Sequence, residues 1–256
     1  MNVRLIASDI DGTLLRDGAM EISQELFGQI RRLEEKGILF CPASGRQYQS
    51  LRQLFAPVAD KVPFLCENGA AVYGPGAPGP VWSKTVMSRT LAENLCQDIM
   101  ALPGVEVLIS GVNTSYLCQK APDYEDYIRW FTGNNIARAA APEAVPEEII
   151  KVSAYCPGLM EETQTALCPK WEKHFRTAVA GEAWLDFTLA DKGMGLEQLC
   201  RKLKLLPEQV MAFGDNFNDV PMLQLAGFPY IMDSASPQLR ERFPVCSSVE
   251  EILRTL

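Results

Sequence analysis

The chain has 256 residues, 47% of them hydrophobic and 22% charged, with a formal net charge of −8. That length suits one large domain or two smaller ones, and the acidic balance offers no overall basic field for nucleic acid or anionic lipid. No run approaches the roughly eighteen apolar residues of a membrane span, and the opening stretch MNVRLIASDIDG meets an acid too early for a secretion signal, so the expected location is cytoplasmic.

The first predicted element is a buried strand, VRLIAS (3–8), which ends in Asp9 and Asp11 and turns on Gly12 and Thr13. EISQELFGQIRRLEEKG (21–37) places apolar residues at 22, 26, 27, 30 and 33, a helical period closed by Lys36-Gly37. ILFCPASGR gives a second buried strand running into a Ser-Gly turn, QYQSLRQLF (47–55) a helix, and VPFLCENGA a third strand. Alternating strands and helices predict a parallel sheet with helices on its faces. A Pro/Gly-rich break, YGPGAPGPVW (73–82), reads as a hinge or linker.

The texture then changes. Helices are predicted near 88–102, 123–131 and 159–173, and strands near 105–110, 115–119, 149–156, 175–180 and 183–188, with an Ala/Pro-rich loop before the strand at 149. The terminal part returns to the first pattern, with a helix at 193–205, the strand QVMAFGD, the helix DVPMLQLAG, the strand PYIMD and a last helix SVEEILRTL. The expected organisation is an α/β core formed by residues 1–80 and 186–256, with an inserted α+β domain at 81–185.

The eight cysteines, at 41, 66, 96, 118, 156, 168, 200 and 246, show no zinc or redox spacing and are expected to be buried reduced thiols. His174 is the single histidine and stands in a charged stretch, so any acid–base work falls to carboxylates or lysine. In parallel α/β sheets ligands bind beyond the carboxyl ends of the strands. Four polar clusters fall at such ends: Asp9-Ile10-Asp11-Gly12-Thr13, Ser44-Gly45-Arg46, Glu67-Asn68-Gly69 and GDNFND (214–219). Lys192-Gly193 opens a helix that can face the same edge.

Each cluster alone also reads as ordinary structure, whether an Asx turn, a helix cap, a surface lysine or a plain turn. Together they exceed what sheet packing requires. Two carboxylates two residues apart repel one another, and a shared cation removes that cost. Asp9 and Asp215 can hold Mg²⁺, a hard cation that takes carboxylates, waters and phosphate oxygens. Asp9 can then attack phosphorus, with Asp11 as acid and base, and with Ser44 and Lys192 holding the phosphoryl oxygens. Gly12 lets a backbone N–H come close to the phosphate.

These motifs resemble those of the haloacid dehalogenase-like hydrolase superfamily. DIDGT (9–13), ASGR (43–46), Lys192 in DKGMGL and GDNFND (214–219) are similar to its four motifs, and ENG (67–69) is similar to the Cof-like branch, which carries an α+β cap between the second and third motifs. The resemblance implies a Rossmann-like parallel-sheet core with an inserted α+β cap. It implies a catalytic set of Asp9, Asp11, Ser44 and Lys192 and a Mg²⁺ site of Asp9, Asp11, Asp215 and Asp219. Substrate contacts are implied for Gly12, Gly45, Arg46, Asn68 and Asn218. One departure is Met232-Asp233-Ser234-Ala235, where the branch usually has a Met-Gly-Asn-Ala-like segment.

The implied activity is Mg²⁺-dependent hydrolysis of a phosphoric monoester, a sugar phosphate or a phosphorylated cofactor, by way of an aspartyl-phosphate. The partner expected is that small metabolite, with no nucleic acid and no membrane, and the oligomeric state is not legible. Two alternatives stand beside this reading. A phosphotransferase, similar to phosphomannomutase, would share the nucleophile and hand the phosphoryl group to a sugar hydroxyl. A non-catalytic phospholigand-binding protein would lack one of the catalytic residues, and all are present.

Overall fold

A computed structural model describes residues 2–118 and 124–256, without the side chains of 130–132. The chain divides into two compact units, the first made of Met1–Ser44, Leu51–Ser83 and Asp191–Leu256, the second of Gly45–Ser50 and Lys84–Ala190. The insert was expected at 81–185. The strand Trp184–Thr188 pairs along its whole length with Lys151–Tyr155, which carries the second unit past that end.

The first unit is built on a five-stranded sheet in the order Val245–Cys246, Phe228–Met232, Val210–Gly214, Leu5–Ser8, Leu39–Pro42. Every pairing is parallel. Leu5, Ile6 and Ala7 have no exposed surface, as a central strand covered on both faces demands. The helix Gln24–Glu35 follows because Ser23 caps it, accepting the Leu26 N–H at 3.1 Å, and because Leu26, Phe27, Ile30 and Leu33 form one buried stripe.

The expected third parallel strand is a correction. Phe64–Cys66 belongs to a separate three-stranded sheet with Ala71–Tyr73 and Val81–Lys84, and its ladder contact with the parallel sheet is a single parallel bridge between Ala43 and Leu65. Ala43 N–H bonds Ser8 and Ser44 N–H bonds Leu65, so the strand edge facing Phe64–Cys66 presents the nitrogen of Pro42, which has no hydrogen to donate. The stretch read as a linker at 73–82 is partly strand, since Ala71–Tyr73 and Val81–Lys84 complete this small sheet.

The second unit is a six-stranded sheet in the order Arg176–Ala180, Trp184–Thr188, Lys151–Tyr155, Glu106–Ser110, Ser115–Leu117, Ile136–Arg138. All its pairings are antiparallel except that of Ser115–Leu117 with Ile136–Arg138. The last of these strands lies in the segment read as a loop. Side chains alternate between the two faces with period two. Val107, Ile109, Val152, Ala154, Leu185 and Phe187 pack with the buried residues of the helices Arg89–Ala101 and Met160–Trp171. Leu108 and Leu117 join a smaller cluster with Tyr124 and Ile128 of the helix Tyr124–Thr132. The start of that predicted helix at 123, and residue 119 of the predicted strand 115–119, lie outside the described residues.

All eight cysteines are free, seven buried and Cys168 partly so. His174 is exposed. Among the described residues no helix is long and apolar enough to cross a membrane.

Candidate active site

Ser8 pairs with Phe213 on one side and Pro42 on the other. Asp9, Asp215 and Ser44 therefore leave three adjacent strands at the same edge. The strand Leu5–Ser8 delivers Asp9 into the interior, where its N–H is held by the Phe213 carbonyl at 2.9 Å. The turn that follows folds back on itself, with Thr13, Leu14 and Leu15 N–H groups all donating to the Ile10 carbonyl.

Gly12 sits in that turn with φ +93°, and a Cβ there would stand 2.3 Å from Asp215 Oδ2. Only glycine permits this conformation and this approach together. Thr13 Oγ1 donates to Asp215 Oδ1 at 3.0 Å and fixes the carboxylate from the other end.

Lys192 comes from the opposite side, at the first turn of the helix Lys192–Leu203. Asp191 caps that helix, accepting the Met194 N–H at 2.8 Å. The 67–69 turn packs against the same helix start. Glu67, Asn68 and Gly69 all have positive φ, and a Cβ on Gly69 would stand 2.2 Å from the Asp191 carbonyl oxygen. The Asn68 N–H donates to the Ser44 carbonyl at 3.0 Å, which ties the serine loop to this turn.

Oxygens of Asp9, Asp215 and Asp219 lie within 4.8 Å of one another, and among the described residues this is the one such group of three metal-ligand side chains. Lys192 Nζ, with no exposed surface, donates to Asp9 Oδ1 and, at 2.6 Å, to Asp219 Oδ1. Asp219 Oδ2 accepts the N–H groups of Asp215 at 3.0 Å and Asn216 at 3.1 Å. Asp219 thus orients Lys192 and the Asp215 loop at once.

Burial raises Asp9 well above the ordinary carboxylate range, and repulsion from Asp219 and Asp215 adds to it against the pull of Lys192. Burial and then Asp219 raise Asp215, opposed by hydrogen bonds with Asp9 and Thr13. Burial works against the Lys192 charge, but attraction to Asp219 and Asp9 outweighs it and holds the ammonium above its usual value. Three carboxylates with one ammonium leave an excess of buried negative charge. This is an all-oxygen donor set of the kind a hard divalent cation takes.

The structure therefore brings together Asp9, Asp215, Asp219 and Lys192, with Gly12 beneath Asp215, and Ser44 and Asn68 joined by backbone. The carboxylate of Asp11 is exposed and stands outside the three-acid group. Asn218 is exposed on the short helix Phe217–Asp219. Gly45 and Arg46 fall in the second unit. The positioning roles of Thr13 and Asp191 are additions. In the sequence Thr13 reads only as part of a turn, and the sole signal for Asp191 is its place as a cap just before Lys192.

The sequence model of the haloacid dehalogenase-like hydrolases matches residues 6–249. The chain is 26% identical to a 5-amino-6-(5-phospho-D-ribitylamino)uracil phosphatase of Escherichia coli (strain K12), across 92% of this chain and 87% of that one. It is 25% identical to an HMP-PP phosphatase of Cronobacter sakazakii, across 94% and 88%. A crystal structure of a protein from Eubacterium rectale superposes with a TM-score of 0.88 at 29% identity, covering 100% of this chain and 99% of that one. With a family match that runs nearly end to end, this chain belongs to the haloacid dehalogenase-like hydrolases.

Proposed function

We propose that the chain is a Mg²⁺-dependent phosphatase that hydrolyses a small phosphorylated metabolite through an aspartyl-phosphate on Asp9. The observation that carries this reading is the convergence of Asp9, Asp215 and Asp219 around one point, with Lys192 bridging two of them. The named activities of the two relatives, toward 5-amino-6-(5-phospho-D-ribitylamino)uracil and HMP-PP, support a metabolite of that size and class.

The three carboxylates fit a divalent cation, and Gly12 leaves room beside Asp215 that any side chain would fill. Asp9, Asp215 and Asp219 would hold it. When bound, it neutralises the phosphoryl oxygens so that an anionic nucleophile can approach phosphorus. A carboxylate oxygen of Asp9 forms a bond to phosphorus as the bond to the ester oxygen breaks. Asp11, whose exposed side chain stands two residues on, gives its proton to the departing oxygen and later takes one from the water that cleaves the aspartyl-phosphate. The Lys192 ammonium and the Ser44 hydroxyl oppose the charge that builds on the transferring group.

The test is a phosphate-release screen over a panel of sugar phosphates and phosphorylated cofactors, run with Mg²⁺ and with chelator. Release that needs Mg²⁺ and disappears in Asp9→Asn supports the reading. Release that survives Asp9→Asn removes it, and transfer to a hexose phosphate in place of water would make the chain a phosphotransferase.

A further inference from the structure

The turn that carries Asp11 is closed by Leu15. The Gly12 N–H donates to the Leu15 carbonyl at 2.9 Å, the Leu15 N–H donates to the Ile10 carbonyl at 2.8 Å, and Asp11 and Leu15 form an isolated bridge. Leu15 thus sets the backbone on both sides of Asp11. An exposed loop follows. Asp17 and Gly18 have positive φ, the Ala19 N–H bonds back to the Arg16 carbonyl at 2.9 Å, and Met20 is 79% exposed. The chain is buried again at Ile22, one residue before the helix cap Ser23.

Arg16 stands between the turn and this loop, and its side chain reaches the far part of the sheet edge. Its Nη2 donates to Asp233 Oδ1 at 2.6 Å and its Nη1 to the Ser247 carbonyl. Asp233 follows the strand Phe228–Met232 and Ser247 follows Val245–Cys246, and these strands are parallel neighbours. The Asp233 N–H is itself held by the Cys246 carbonyl at 3.0 Å, so the two anchors are tied to each other. The strand Val210–Gly214, which delivers Asp215, lies between Leu5–Ser8 and Phe228–Met232. The guanidinium therefore joins the Asp11 turn to two strand ends beyond the Asp215 strand. All of these residues lie in the first unit.

The side chains of Arg16 and Asp233 are 31% and 45% exposed, and ion pairs so placed add little to stability. What this one supplies is geometry, because a planar guanidinium holds two acceptors at once in a fixed fork. Asp233 is the acid of Met232-Asp233-Ser234-Ala235, a segment to which the catalytic cluster assigns no role. We propose that Arg16, anchored on Asp233 and Ser247, is a positioning residue that holds the 10–15 turn so that the Asp11 carboxyl meets the leaving-group oxygen. The proposal rests on the phosphatase reading, in which Asp11 protonates that oxygen.

The test is a series of aryl phosphates of similar shape, from p-nitrophenyl to phenyl phosphate, scored as kcat/KM, which reports the steps up to departure of the phenol. A general acid matters most for the most basic leaving group. Arg16→Met is expected to lower kcat/KM about tenfold for phenyl phosphate and less than about twofold for p-nitrophenyl phosphate. Asp233→Ala, at an exposed position, reads the same anchor should Arg16→Met not fold, and is expected to steepen the series in the same direction. The double variant is expected to fall no further than Arg16→Met alone, because the two substitutions remove one interaction. In the Asp11→Asn background, where the acid to be aimed is gone, Arg16→Met is expected to change both rates by less than about twofold.

The melting temperature separates positioning from support of the fold, and is expected to move by no more than about 2–4 °C in Arg16→Met. An equal loss for every leaving group overturns the proposal, as does an unchanged series in both Arg16→Met and Asp233→Ala. A loss that persists undiminished in the Asp11→Asn background also overturns it. Each of these results leaves the wild-type phosphatase activity standing. A wild type that releases phosphate from no ester removes the phosphatase reading, and this proposal with it.

Discussion

Gly12→Ala is the sharpest single test of the site's construction. The added methyl carbon would stand 2.3 Å from Asp215 Oδ2, 2.7 Å from its Cγ and 3.0 Å from Oδ1, where ordinary contact begins near 3.4 Å. The Asp215 carboxylate must retreat by about 1 Å, and the retreat pulls it from Thr13 Oγ1, now 3.0 Å away. Alanine at φ +93° adds a backbone cost of about 1–2 kcal/mol. A misplacement of about 1 Å at a reacting site lowers rate on the order of 10²-fold. The assay is hydrolysis of p-nitrophenyl phosphate over a Mg²⁺ titration, with a melting curve beside it. We expect kcat to fall about 10²-fold, the Mg²⁺ requirement to move to higher concentration and the melting temperature to drop by a few degrees. If Gly12→Ala keeps kcat and Mg²⁺ dependence within about twofold of wild type, then the close seating of Asp215 on this backbone is not what organises the site.

Three further outcomes follow from the same cluster. Asp9→Asn is expected to abolish phosphate release while raising the melting temperature in chelator, because it removes the carboxylate that Asp219 and Asp215 repel; a melting temperature that falls would contradict the charge argument. Lys192→Met leaves Asp9 and Asp219 without the cation between them, and breaking a buried pair in this way costs about 3–5 kcal/mol, measurable by denaturant titration in chelator. Thr13→Val removes one hydrogen bond to a charged group, worth about 1.5–3 kcal/mol, and is expected to reduce kcat by roughly tenfold or more; an unchanged rate would return Thr13 to a purely structural turn.

Much of this site was legible from single residues and their spacing. Asp9, Lys192, Asp215 and Asp219 each follow a recognisable strand or open a recognisable helix, and buried parallel strands announce themselves as short apolar runs. Because ligands gather at the carboxyl ends of such strands, the order of elements alone points these residues toward one edge. The third strand was misjudged because ladder pairing depends on which side of Leu39–Pro42 the Pro42 nitrogen faces, and an apolar run does not encode that. Ile136–Arg138 was missed because a three-residue strand carries too little pattern to stand out from a loop.

By itself, the sequence determined the α/β character of the core, which acidic and basic side chains stand at its strand and helix ends, and the presence of an inserted unit. These depend on local chemistry: apolar period, turn residues and which groups can ionise. Only the tertiary structure decided that Asp219 orients Lys192 and the Asp215 loop, and that Gly12 is demanded by Asp215. Those are contacts between residues far apart in the chain. Their geometry is set by strand order and register, which no local stretch specifies.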